Sequence, residues 1–158
     1  MVSAPVEAPG VARDGKDRLR LWIRLLRASR TIEAELRDRL KKEFATTLPR
    51  FDVMAALYRR PEGMLMSDLS SFLLVSNGNV TGIVENLVKD GLVARARRNG
   101  DRRTSMVSLT DAGVERFRAM AKAHESWIGE LLDGVAEQDA RQLAGMLKSF
   151  RSNWEGHK

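Results

Sequence analysis

Residues 67–91 read SDLSSFLLVSNGNVTGIVENLVKDG, and the spacing of their apolar side chains decides the fold. Two short helical patterns lie in this stretch. Ser67 stands where it can cap the first, whose buried side is expected to hold Leu69, Phe72 and Leu73. Ser76 stands likewise before the second, in which Val80, Ile83, Val84, Leu87 and Val88 recur at three- and four-residue steps. Only Leu74 and Val75 separate the patterns, and Gly91 follows as a C-terminal stop. Two helices joined this tightly make a helix-turn-helix.

Downstream the period changes to that of a strand. Val93, Arg95 and Arg97 alternate with Ala94 and Ala96, and Thr104–Leu109 alternates again. Asn99-Gly100 between them is a strong hairpin-turn pair. Upstream, Pro49 suits the start of a helix carrying Phe51, Met54, Ala55, Leu57 and Tyr58, which stops before Pro61-Glu62-Gly63. Before that, residues 16–44 read as one long amphipathic helix with Leu19, Trp22, Ile23, Leu26, Ile32, Leu36 and Leu40 on its apolar side. Past the hairpin, Thr110 can cap a helix over about 112–134 that carries Val114, Phe117, Met120, Trp127 and Leu131. A last helix over about 137–154 carries Leu143, Met146, Leu147, Phe150 and Trp154. The expected fold is mainly α with a small β-hairpin: a winged helix-turn-helix core over 49–111, flanked by a long helix over 16–48 and helices over 112–158. Residues 1–15, rich in Ala, Pro, Gly and Val, read as a disordered tail.

Composition narrows the function classes. The chain of 158 residues is 43% hydrophobic and 30% charged, enough to bury a core, and shows no apolar run of bilayer length and no signal peptide. A cytoplasmic location without membrane attachment is expected. There is no cysteine and only two histidines, His124 and His157, which removes thiolate chemistry and disfavours a metal site. No phosphate loop, dinucleotide fingerprint or nucleophile elbow is present, so no enzyme, catalytic residue or cofactor is expected.

Net charge is +6, and its densest patch is the hairpin, where Arg95, Arg97, Arg98, Arg102 and Arg103 face Asp101 alone. Such a patch suits a polyanion. An arginine beside a turn can enter a minor groove, and strand arginines can meet phosphates, while Asp101 can fix one guanidinium's direction. The second helix of the pair suits a major groove. Its open side carries Asn77, Asn79 and Thr81, side chains able to read adenine and thymine edges. Gly78 and Gly82 each cost that helix about 1 kcal/mol relative to Ala, which fits close approach of something bulky. Ser67 and Ser76 complete the candidate DNA-binding set. A solvated polar helix and charged hairpin is the plain alternative.

At these residues the chain resembles the MarR family of bacterial regulators. The likeness rests on Leu65-Met66-Ser67-Asp68-Leu69, on Val75-Ser76 with Val80-Thr81, on Leu87-Val88 with Gly91-Leu92-Val93, and on Asp101 and Arg103 with Leu109-Thr110 and Gly113. It covers residues 48–117 and, with the flanking helices, most of 16–154. It departs at Asn77-Gly78-Asn79, where many relatives carry a bulkier or charged residue. The resemblance implies a homodimer built from the N- and C-terminal helices, binding duplex DNA as a regulator, expected to be a repressor, with an effector pocket between the dimerisation and DNA-binding parts. Leu19-Arg20-Leu21-Trp22 and Ser76-Asn77-Gly78-Asn79 are similar to a subgroup answering to aromatic acyl-CoA thioesters. On that basis Trp22, Phe51, Met54, Tyr58, His124 and Trp127 are candidates for an aromatic effector, and Arg24, Arg27 and Arg30 for its phosphates. The same aromatics at helical spacing equally suit plain core, His124 a structural role, and the arginines a solvated face. A ligand-independent or phenolic-acid-responsive regulator, and a helical protein-interaction module, are the alternatives.

Overall fold

The computed structural model describes residues 11–73, 77–97 and 105–155. The chain divides into two compact units after Leu48.

The first unit is one helix, α1 (Val11–Phe44). Its 34 residues span about 51 Å. It starts five residues before the expected Lys16, so 11–15 are helical although the sequence placed them in a disordered tail. Helix growth is cooperative, and a helix this long carries Gly15 within its first turns. Glu33–Arg37, Glu35–Arg39 and Asp38–Lys42 pair one turn apart with the acid on the N-terminal side, the favoured orientation. These pairs are surface pairs, each worth a few tenths of a kcal/mol at most. Ala45 closes the helix in the left-handed region, at φ 49°.

The second unit runs α2 (Leu48–Tyr58), β1 (Met64–Leu65), α3 (Met66–Phe72), α4 (Asn77–Lys89), β2 (Val93–Arg97), β3 (Ser105–Leu109), α5 (Asp111–Leu131) and α6 (Glu137–Glu155). Its core takes Phe51, Val53, Met54 and Leu57 from α2, Leu69 from α3, and Val80, Val84 and Leu87 from α4. The sheet adds Val93 and Val107, and α5 adds Phe117, Met120 and Trp127. Each large apolar side chain so buried is worth about 1.5–3 kcal/mol.

The hairpin expected from the sequence is a three-stranded antiparallel sheet of order β1-β3-β2. Arg95 lies opposite Val107, and Met64 and Leu65 lie opposite Val107 and Met106. A two-residue strand is too short to show a period, so β1 left no mark in the sequence. It has a consequence for α3. Leu65 ends the strand and occupies the N-cap, with no side-chain cap, so Ser67 falls inside the first turn rather than capping it. There the Ser67 carbonyl accepts from the Ser71 hydroxyl at 3.0 Å. Phe72, expected in the core, is 55% exposed, because the seven-residue α3 turns only Leu69 and Ser70 fully inward. Val88, also expected inside, is exposed, while Ile83 and Leu73 are half-buried.

One joint holds the end of α4, both ends of the hairpin and the start of α5. Gly91, at φ +72°, closes α4: its N–H donates to Val88 O, and Leu92 N–H donates to Leu87 O, both at 3.0 Å. Thr110 N–H donates to Leu92 O at 3.1 Å, and the Thr110 hydroxyl donates to Gly91 O at 2.7 Å. The same hydroxyl accepts from Gly113 N–H at 3.0 Å, the cap expected for α5.

Candidate nucleic-acid interface

The buried side of α4 is Val80, Val84 and Leu87, all inaccessible to solvent. That burial turns Asn79, Gly82, Glu85, Asn86 and Lys89 outward and leaves Thr81 half-buried. A Cβ added at Gly82 would meet nothing within 4 Å. Nothing inside the fold therefore requires that glycine, and it leaves a bare stretch of helix backbone facing outward. Arg50 of α2 forms an ion pair with Asp90, just past the last turn of α4. Together with the Gly91 closure, this ties the C-terminal end of α4 to the helix beneath it.

On the hairpin, Arg95 is exposed and its Nε donates to Ser105 Oγ at 2.8 Å across the β2–β3 pair. The bond fixes the direction of the guanidinium on the sheet surface. Ser76, Arg98, Asn99, Gly100, Asp101, Arg102 and Arg103 lie outside the described residues, and so do the side chains at Asn77, Gly78 and Arg97. Among the described candidates, the fold brings Asn79 and Thr81 onto α4, and Arg95 onto the adjoining strand. Ser67 sits exposed on α3.

The effector candidates divide between the two units. Trp22, Arg24, Arg27 and Arg30 are exposed on α1, Trp22 at 57%. In the second unit, Phe51, Met54 and Trp127 are core side chains. Phe51 stacks on His124 with centroids 4.8 Å apart and planes at 22°, and it touches Phe117 at 5.5 Å. Tyr58 meets Phe117 at 4.8 Å, tilted by 39°. Phe117 is thus, with Phe51, one of the two inner rings of the row His124–Phe51–Phe117–Tyr58. The sequence marked it only as a core residue of its helix, because the meeting of α2 and α5 is a tertiary event. Arg118, beside it, donates through Nε to the Tyr58 hydroxyl at 3.3 Å. No sequence motif singles out that arginine.

Burial holds the His124 imidazole below its ordinary pKa. The folded state therefore binds a proton less readily than the unfolded chain, and stability falls as the pH drops below about 6.5. A melt at about pH 5 is expected to show a lower Tm than one at about pH 7.5, and His124→Phe to flatten part of that difference while keeping the stack on Phe51. An unchanged slope in the variant would remove His124 from the account.

Comparison with known proteins agrees with this geometry. The model of the MarR family matches residues 46–104. The transcriptional activatory protein BadR of Rhodopseudomonas palustris is 30% identical over 147 residues, covering 90% of this chain and 83% of that protein. Among solved structures, a MarR family transcriptional regulator from Silicibacter pomeroyi is 34% identical with a TM-score of 0.75, over 89% of this chain and 97% of its own. A mutant MarR from Escherichia coli solved with operator DNA has a TM-score of 0.73 at 20% identity, over 85% of this chain and 95% of its own, a likeness of fold.

Proposed function

Since the chain belongs to the MarR family of winged helix-turn-helix transcriptional regulators, DNA-binding proteins and not enzymes, we propose that it binds a near-palindromic duplex operator as a homodimer and releases it on binding a small aromatic effector. The observation that carries the reading is α4: one side fully buried, the other presenting Asn79, Thr81 and the bare backbone at Gly82, with an arginine-bearing hairpin next in the chain. A twofold dimer sets two such helices about one turn of duplex apart, hence the near-palindrome. Asn77, Asn79 and Thr81 read base edges, Ser67, Ser76 and Gly78 lie against the backbone, and Arg95, Arg97, Arg98, Arg102 and Arg103 take phosphates or the minor groove, with Asp101 orienting one of them.

The test separates the two elements. Arg103→Ala is expected to weaken binding on every sequence and lower the salt slope by about one. Asn79→Ala is expected to relax preference at one base position by about 1–3 kcal/mol. If Arg103→Ala leaves both affinity and salt slope at the wild-type values, the hairpin is not a DNA-contacting wing.

An effector acts only through its preference for the arrangement that does not bind DNA. Coupling of about 1–3 kcal/mol changes operator affinity about 5- to 150-fold. For an aryl-CoA thioester, Trp22, Phe51, Met54, Tyr58, His124 and Trp127 are the residues for the aromatic head, and Arg24, Arg27 and Arg30 those for the phosphates. The exposure of those arginines and Trp22 on one helix favours that version, and burial of Phe51, Met54 and Trp127 favours an effector that reaches Tyr58 alone. Titrating the protein–operator complex with the thioester, its free acid and CoA distinguishes them. A second reading, activation instead of repression, is favoured by the name of BadR, and transcription in vitro from an operator-bearing promoter, with and without the protein, decides it by the sign of the change.

A further inference from the structure

The outward side of α4 continues past Asn79. At about 100° per residue, Asn79, Gly82, Asn86 and Lys89 fall within about 80° of arc, on the side away from the buried Val80, Val84 and Leu87. All four are exposed. Neither asparagine side chain is engaged by another described residue. Glu85, also exposed, lies off this stripe on the flank that carries Thr81. The C-terminal half of the stripe is anchored, because the Asp90 N–H donates to Asn86 O at 3.1 Å and the Asp90 carboxylate pairs with Arg50.

Spacing gives the stripe a length that can be compared with a duplex. Asn79 and Asn86 are seven residues apart, so about 10.5 Å along the axis. Stacked base pairs repeat every 3.4 Å or so, and the two amides therefore span about three steps, or about two where the helix crosses the groove at an angle. An asparagine amide pairs bidentately with the major-groove edge of adenine. Its side chain is short, so it reaches a base only if the helix axis lies close to the groove floor. Gly82 stands between the two amides on the same side. A Cβ there would meet nothing within the fold, so packing gives no reason for a residue that weakens a helix. Without a side chain at that point, the helix can sink until both asparagines reach.

We propose that Asn86 is a second base-reading residue of α4, acting with Asn79 across the gap left by Gly82, so that each half-site carries two A·T pairs two or three steps apart. Lys89, one turn further along the stripe, takes a phosphate where the helix leaves the groove. The inference rests on the reading of α4 as the DNA-recognition helix and adds to it the far half of the helix and a spacing in the operator.

The experiment selects duplexes with the full chain from a pool randomised over about three helical turns, at about 0.15 M salt. The wild type is expected to enrich a site whose half-sites each hold two A·T pairs at the stated spacing. Asn86→Ala is expected to lose the preference at one of these positions, by about 5- to 150-fold, and to keep the other, which Asn79→Ala loses instead. Gly82→Ala is expected to raise Tm slightly and yet weaken binding to the selected site at least about ten-fold, a combination that a purely structural glycine does not give. An Asn86→Ala protein that enriches the wild-type site with every base preference intact overturns the proposal. So does one that loses affinity equally on all sequences, which would make Asn86 a backbone contact. A Gly82→Ala protein that binds as the wild type does also overturns it. A wild type that enriches no sequence would remove the recognition-helix reading itself, and this inference with it.

Discussion

Gly113→Ala is expected to destabilise the protein by about 3 kcal/mol or more and to weaken operator binding. A Cβ built at Gly113 would lie 2.0 Å from the carbonyl oxygen of Leu92 and 2.9 Å from its carbonyl carbon. These are backbone atoms, so no side chain can swing aside to make room. Leu92 is also held from two directions, its N–H on Leu87 O at 3.0 Å and its O by Thr110 N–H at 3.1 Å. To move away it must give up those bonds, and Gly113 must give up the Thr110 cap. Each lost bond costs about 1 kcal/mol. In a protein of this size the sum corresponds to a fall in Tm of about 6–12 °C. Because the joint fixes the end of α4 against the hairpin, the DNA-facing elements lose their mutual position together with the stability. Gly145→Ala in α6 is the matched control. Nothing lies within 4 Å of its added Cβ, and alanine favours a helix interior by up to about 1 kcal/mol, so Tm should rise slightly. Equal melting of Gly113→Ala and wild type would mean the joint is not as close as described.

The second large effect is expected from α6. Replacing Leu147 and Phe150 by Asp should convert the proposed dimer to monomer and weaken operator binding by about 10²–10⁴-fold. Leu143, Met146, Leu147 and Phe150 repeat at three- and four-residue steps along one face, and each is about half exposed or more, Phe150 at 64%. A soluble monomer rarely presents so continuous an apolar stripe, and a second copy of the chain is the partner the proposed function supplies. Both substituted positions are already open to solvent, so the fold of one chain should survive. Without the dimer each half-site is bound alone, and the gain from linking two binding events disappears. Sedimentation reads the mass and a salt-controlled mobility-shift assay reads the affinity. A double variant that sediments as a dimer with unchanged operator affinity would place the dimer contact elsewhere.

Local chemistry was legible in the sequence wherever it acts within a few residues. The apolar spacing of 76–91 gave α4 its buried Val80, Val84 and Leu87, and Gly91 its stop, because a helix face and a left-handed turn depend on neighbours along the chain. Thr110 was legible as a cap for the same reason. The change of period after Gly91 placed both strands of the hairpin, and the density of arginine there made it the candidate polyanion-facing element. Gly113 could be read as part of a family pattern, but not why it must be glycine. The oxygen it nearly touches belongs to Leu92, on the far side of the hairpin.

Contacts that cross the fold were decided only by the tertiary structure. The strand β1 is too short for a period, and it exists because β3 offers an edge to Met64 and Leu65. Its presence moved the N-cap to Leu65 and left Ser67 without the role its residue type suggested. Phe72 shows the reverse case: a large aromatic at helical spacing, which composition alone would bury, stays exposed because α3 is too short to turn it inward. Arg50 and Asp90 are 40 residues apart, as Tyr58 and Arg118 are 60 apart, and neither pairing leaves a local signature. Helix faces follow from spacing along the chain. Which faces meet, and which charged groups pair across the fold, follows from packing the whole core at once, and so the sequence by itself determined the class of protein while the tertiary structure selected the residues that line its candidate effector site.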